Sequence, residues 1–207
     1  MDQKEEMSRQ TRFVHLRVHS EYSVIDGLIR VKSLTAKSAA LNMPAVAITD
    51  HVNLYALIKF YKAANGAGVK PICGCDILIS DEENPEKYCL LVLLVKNLKG
   101  YKNLTDLISR AHLEGQYRGN PCIKRSWLEG KTDGLIALSG GRTGDIGRAI
   151  LNADPALAGE LLQGWMDVFP DSFYLELHRT SRPGEEEYIH GAVSLAEKFS
   201  CPVVATN

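Results

Sequence analysis

The sequence predicts an α/β fold on a mostly parallel sheet, either closed as a β/α barrel or open and doubly wound. Three observations predict it. Seven short segments have strand character, and most are continuous apolar runs rather than strict alternations, the pattern of strands covered on both faces. Segments of helical periodicity lie between most of them. The chain has 207 residues, 45% of them apolar, enough to bury one large core.

The elements follow in order. FVHLRV at 13–18 is the first strand. The spacing of Val31, Leu34, Ala36 and Leu41 predicts a helix over 31–41, stopped by Asn42-Met43-Pro44 ahead of the strand AVAIT at 45–49. A second helix, 53–64, carries Leu54, Leu57, Ile58 and Tyr61, with Asn53 as its expected N-cap and Asn65-Gly66 as its stop. The strands ICGCDILI (72–79) and CLLVLLV (89–95) are joined by a polar stretch holding a proline and no helix, so they are expected to pair antiparallel. Leu104, Leu107, Ile108 and Ala111 share one face of a helix over 99–113. The strand GLIALS (134–139), a helix over 155–168, the strand FYLEL (173–177), a helix over 184–199 and the strand PVVAT (202–206) complete the series. Residues 1–11 read as a polar, disordered lead-in, and 12–207 as one domain that stops just past its last strand.

Composition narrows the class. With 24 basic and 25 acidic residues, no net field draws the whole chain to nucleic acid or a membrane. The longest apolar run, 89–95, is too short to span a bilayer, and the N-terminus lacks the apolar core of a signal peptide. Five cysteines without a paired Cys-x-x-Cys read as reduced thiols in a cytoplasmic protein.

Polar residues recur at the strand ends, where such folds place chemistry. The first strand offers Arg17, His19 and, after a short loop, Asp26. The second offers Asp50 and His51, the third Asp76, the start of the fourth Cys89, and the sixth Glu176 and His178. Carboxylates, imidazoles and a thiol at one mouth would suit zinc or manganese. SGGRTGDIGR looks like a phosphate-cradling loop but lacks both glycine-loop orders, and reads instead as a strand-to-helix turn with Asp145 near the helix start. No hydrolase elbow is present.

The segments VHSEYS followed by DG, ITDH, GY-NL and SGGRTGDIGR resemble the PHP (polymerase and histidinol phosphatase) domain, in the form found at the N-terminus of bacterial replicative polymerase alpha subunits. The resemblance implies a distorted seven-stranded β/α barrel, TIM-like, with a metal cleft at its strand ends. It implies that Arg17 replaces the first ligand of a His-x-His pair, that His19, Asp26 and His51 are kept, that Asp76 replaces a glutamate, that Cys89 replaces a histidine, and that Gly141 cannot ligate. The last ligand pair of the family would follow Asn207. The expected site is therefore vestigial: no catalytic residue, no trinuclear cluster, and at most one Zn or Mn ion on His19, Asp26, His51 or Asp76. Arg17 is expected to stand in for the cation beside Asp26 and Asp76. The parent chain implied is a DNA-directed DNA polymerase using Mg, with DNA, other replicase subunits and the epsilon proofreading exonuclease as partners. The domain is expected to act as an inert scaffold for that exonuclease. The alternative is a metal-dependent phosphoesterase, either a proofreading exonuclease or a pyrophosphatase.

Overall fold

A computed structural model describes residues 13–206 apart from 25, 82, 83 and 85; the expected lead-in at 1–11 lies outside the described residues. Eight strands form one sheet: β1 (Ala45–Ile48), β2 (Lys70–Ser80), β3 (Tyr88–Val95), β4 (Gln116–Tyr117), β5 (Asn120–Lys124), β6 (Leu135–Leu138), β7 (Phe173–Leu177) and β8 (Val203–Ala205). Six α-helices accompany them: α1 (Val31–Ala40), α2 (Leu57–Gly66), α3 (Leu98–Glu114), α4 (Asp145–Leu151), α5 (Pro155–Val168) and α6 (Glu185–Phe199). No helix among the described residues is long and apolar enough to cross a membrane.

The strands run in the order β4-β5-β2-β3-β6-β7-β8, and β1 pairs with the first half of β2. The β2–β3 and β3–β6 pairs are antiparallel, whereas β1–β2, β2–β5, β6–β7 and β7–β8 are parallel. The expected hairpin between the third and fourth strands is present. Residues 13–18 lie along β1 but form only an isolated bridge, His15 to Val46, with Ala47 N–H donating to His15 O and Thr49 N–H to Val18 O. Among the described residues no backbone hydrogen bond joins β8 back to this segment. The hairpin β4–β5 was not expected: two residues before Arg118-Gly119 give no period to detect.

Alternation along each strand places apolar side chains on both faces of the sheet, while Val31, Val46, Ile48 and Phe60 form a separate cluster under α1 and α2. Cys75, Ile77 and Ile79 of β2, Leu91 and Leu93 of β3, Leu135 and Ala137 of β6, and Leu175 of β7 meet α3, α5 and α6 on the outer face. Trp165 of α5 stacks on Phe173 and donates its indole N–H to Asp145. On the opposite face Leu16, Ala47, Ile72, Val92, Leu94, Ile136, Leu138, Tyr174 and Val204 form a second cluster. The first segment and the last strand both contribute to that inner plug, so the sheet curls around it. Among the inward-facing positions, Asp76 falls two residues beyond Gly74 and Glu176 two beyond Tyr174, just past the plug.

Helix ends follow local chemistry. Asn97 caps α3 through Gly100 N–H, and Asp154 caps α5 through Leu157 N–H with Pro155 in the first turn. Asn53 does not cap α2, which starts at Leu57; its carboxamide accepts Tyr55 N–H and donates to Tyr22 O and His51 O. The GY-NL motif has a packing cause. A Cβ on Gly100 would sit 1.8 Å from Gly134 O, and Asn103 donates to Asp133 O, so α3 is pressed against the start of β6. Gly100→Ala is expected to destabilise the chain by about 3 kcal/mol through overpacking. Urea melts would check this; a midpoint equal to wild type would show that the helix can back away.

Candidate active site

The cleft is built on two buried carboxylates. Asp76 and Glu176 are both fully buried, in β2 and β7. Arg17 lies between them: Nε and Nη2 donate to Asp76 Oδ2 at 2.9 and 2.6 Å, and Nη1 approaches Glu176 Oε2 at 3.3 Å. The sequence reading placed Arg17 beside Asp76 and Asp26; the second partner is instead Glu176. Asp26 lies at the mouth, where both its oxygens face His19 Nδ1 at 3.0 Å. His19 Nε2 donates to Asp76 Oδ2 at 2.9 Å. Glu176 Oε1 also accepts from His178 Nε2 at 2.9 Å and from Thr206 Oγ1 at 2.7 Å.

This arrangement fixes the charge states. Burial favours a neutral His19, but its bonds to Asp76 and the charges of Asp76 and Asp26 prevail and raise its pKa to about 9. Both ring nitrogens face carboxylates, so the ring is an imidazolium. Burial likewise works against the Asp76 carboxylate; the charge of Arg17 and the bonds from His19 and Arg17 outweigh it and hold the carboxyl below its ordinary value. Arg17 is raised by the same pairing against the cost of its own burial.

The remaining predicted residues divide. His51 is half-buried at the end of β1, bridged to Asp76 through the backbone, and its pKa is lowered, chiefly by burial. Asp50 is absorbed into structure: it accepts from Ser20 N–H, Ser20 Oγ and Ser23 Oγ and so shapes the loop that carries Asp26. Gly141 is at the site, with φ +59°, and a Cβ there would lie 2.6 Å from His178 Nδ1. Cys89 is a correction. It packs on the outer face of β3 with Leu91 and Leu93, and burial pushes its thiol up to about 12. It is turned away from the cleft by the parity of the strand.

Thr206, which donates to Glu176, and Val52 were missed. Val52, 2% exposed, adopts φ +46°, which a β-branched residue rarely does. Its N–H donates to Asp76 O at 2.8 Å and its carbonyl accepts from His112 Nε2 at 2.9 Å. These bonds and the packing of Val52 against Leu78 and Cys122 hold the chain reversal just after His51. No local sequence signal marks a left-handed valine.

A metal fits this donor set poorly. Among the described residues no group of three or more His, Cys, Asp or Glu side chains is arranged to hold an ion. Asp76 Oδ2 takes three hydrogen bonds from cations, and His19 has no lone pair to offer while protonated. Each unit of positive charge brought within about 4 Å of Arg17 would meet about 4 kcal/mol of repulsion at an effective dielectric near 20. Asp76 Oδ1, buried without a hydrogen bond, and His51, whose pKa is lowered, are the most ligand-like groups among the described residues of the cleft.

With this geometry in hand, the class is clear: residues 15–180 match the PHP domain family, and the chain belongs to it. The relatives are more specific. The chain is 52% identical over 195 residues to the DNA polymerase III subunit alpha of Pseudomonas aeruginosa, a match spanning 94% of this chain and 17% of that one. It is 52% identical over 196 residues to the Escherichia coli K12 subunit, again 17% of its length. Among solved structures it resembles a metal-dependent phosphoesterase from Bifidobacterium adolescentis (TM-score 0.62, 12% identity, 95% of this chain and 87% of that one). It also resembles an amidohydrolase from Chromobacterium violaceum (TM-score 0.59, 14% identity, 94% and 86%). These two likenesses concern the fold.

Two predictions follow from the pairing. Asp76 and Glu176 are fully buried and Arg17 is 15% exposed, so Arg17→Ala removes the cation the two carboxylates share, leaving Asp76 to His19 and Glu176 to His178 and Thr206, and is expected to cost about 3 kcal/mol in chemical denaturation. A cost below about 1 kcal/mol would place the pair in the exposed class. His19 has a folded pKa above its unfolded value near 6.5, so its stabilisation is complete below about pH 6.5 and is lost as pH rises through about 9. Thermal melts of wild type should therefore fall from pH 6.5 to 9.5 more steeply than those of His19→Gln; parallel curves would refute the imidazolium.

Proposed function

We propose that this chain is the PHP domain of a replicative polymerase alpha subunit and serves there as an inert scaffold that holds the proofreading exonuclease subunit. The parent polymerase would extend DNA from dNTPs with Mg in regions outside this sequence. The observation that carries the inert reading is Arg17: its guanidinium occupies the carboxylate that a catalytic ion would need. The polymerase context rests on identity of about half over nearly the whole chain. A metal hydrolase generates hydroxide at its ion near neutral pH, and this cleft spends its charge on internal pairing instead.

The second reading, a metal-dependent phosphoesterase, is favoured by the unpaired Asp76 Oδ1 and by His51, with at most one zinc or manganese ion held. Arg17→His separates the two. It removes the competing charge and restores His-x-His with His19, so added zinc or manganese should raise its thermal midpoint and leave wild type unchanged. Wild-type chain, alone and within the full alpha subunit, should bind the exonuclease subunit and show no chelator-sensitive hydrolysis of p-nitrophenyl phosphate or primed DNA. Stoichiometric metal with turnover in wild type would establish the phosphoesterase instead.

A further inference from the structure

Above the buried ion pairs the cleft widens into a cavity of about 980 Å³, near the top of the roughly 300–1,000 Å³ of ordinary ligand sites. Leu28 and Ile29 on the loop after Asp26, Leu34 of α1 and Pro183 on the turn before α6 line it. Leu28 is 93% exposed and Ile29 43%. The backbone pins this loop on both sides of Leu28. A Cβ on Gly27 would sit 1.6 Å from Ser20 O, and Glu21 N–H donates to Ile29 O. The leucine is therefore presented at the opening rather than folded beneath it, and exposed apolar groups gathered at one cavity mark a contact surface.

Two guanidiniums share this lining. Arg142, in the turn before α4, and Arg182, beside Pro183, form no ion pair among the described residues. The carboxylates of the cleft are committed elsewhere. Asp26 faces His19, Asp76 takes Arg17 and His19, and Glu176 takes Arg17, His178 and Thr206. Glu185 accepts from Thr180 N–H, Thr180 Oγ1 and Arg182 N–H, which leaves the Arg182 side chain unpaired. Arg142 Nε is buried without a hydrogen-bond partner, and a buried donor ordinarily has one. The same cavity thus carries an aliphatic wall and two guanidiniums without a counter-charge.

We propose that the cleft mouth receives a segment of a protein partner that carries aspartate or glutamate beside aliphatic side chains. The aliphatic groups pack on Leu28, Ile29, Leu34 and Pro183, and the carboxylates pair with Arg142 and Arg182. A nucleotide would also bring an anion, but bases are held by stacking on aromatic rings. No Phe, Tyr or Trp lines this cavity among the described residues. The proposal rests on the scaffold reading and gives it a surface and a partner chemistry.

The first test titrates the full alpha subunit with labelled exonuclease subunit by fluorescence polarisation. Leu28→Asp and Arg182→Glu, both at exposed positions, should each weaken binding at least tenfold with an unchanged thermal midpoint. The second test uses two labelled synthetic peptides with the same leucine and valine core, one flanked by glutamates and one by lysines. The acidic peptide should bind this chain at least tenfold more tightly, and Arg182→Glu should remove the difference. Equal binding of the two peptides to wild type, or acidic binding that Leu28→Asp and Arg182→Glu leave unchanged, would overturn the proposal. Displacement of the acidic peptide by equimolar dAMP would also overturn it, because the occupant is then a nucleotide. Peptide binding to this chain that disappears in the full alpha subunit would do the same, because the parent chain then fills the mouth itself. So would a concentration-dependent dimer in sedimentation that Leu28→Asp abolishes, because a second copy then fills it. The exonuclease titration separates the surface from the scaffold. Binding to wild type that both variants retain overturns the surface and leaves the scaffold standing. No binding even to wild type refutes the scaffold, and the peptide titration then decides the surface alone.

Discussion

The guanidinium of Arg17 is the contact on which the cleft depends. Asp76 and Glu176 face the same interior from β2 and β7, both without solvent. Two ionised carboxylates in such a place are untenable without a cation, and the fold offers two ways to supply one: an ion or a side chain. Here the side chain comes from residues 13–18, which have little regular strand pairing of their own. The same bonds that neutralise the acids fasten this first segment across the sheet to β2 and β7. Electrostatics and topology are one interaction.

The legibility of the fold followed the length of its periodic signals. The helix over 155–168 and the strand over 173–177 end where the structure ends them, because a proline and an aspartate cap mark the first and a short aromatic and aliphatic run, interrupted only by Glu176, marks the second. The pair β4–β5 was invisible because its strands are short and carry asparagine and proline. FVHLRV reads as a strand by composition, yet its backbone engages β1 only from His15 to Val18.

Site residues were legible by position and less so by partner. Strand-end reasoning gathered Arg17, His19, Asp26, His51 and Asp76 at one mouth, but pairing across 159 residues leaves no local trace, so Glu176 was not matched to Arg17. Cys89 shows the other limit. In a strand a shift of one residue reverses the face, so a site assignment that is nearly right in sequence can be wholly wrong in space. Val52 shows a third: strain is a property of surroundings, and only the bonds to Asp76 and His112 reveal why a valine tolerates a left-handed backbone there.

The four residues from Asp50 to Asn53 connect these observations. Asp50 shapes the loop bearing Asp26, His51 bridges to Asp76 through the backbone, Val52 ties β2 to α3, and Asn53 binds back to Tyr22 O and His51 O. A polar network satisfied at nearly every atom stiffens its surroundings. On the scaffold reading, that stiffness is what an inert cleft still supplies. Arg17 keeps both carboxylates paired, and a paired Asp76 stays where its backbone carbonyl holds Val52.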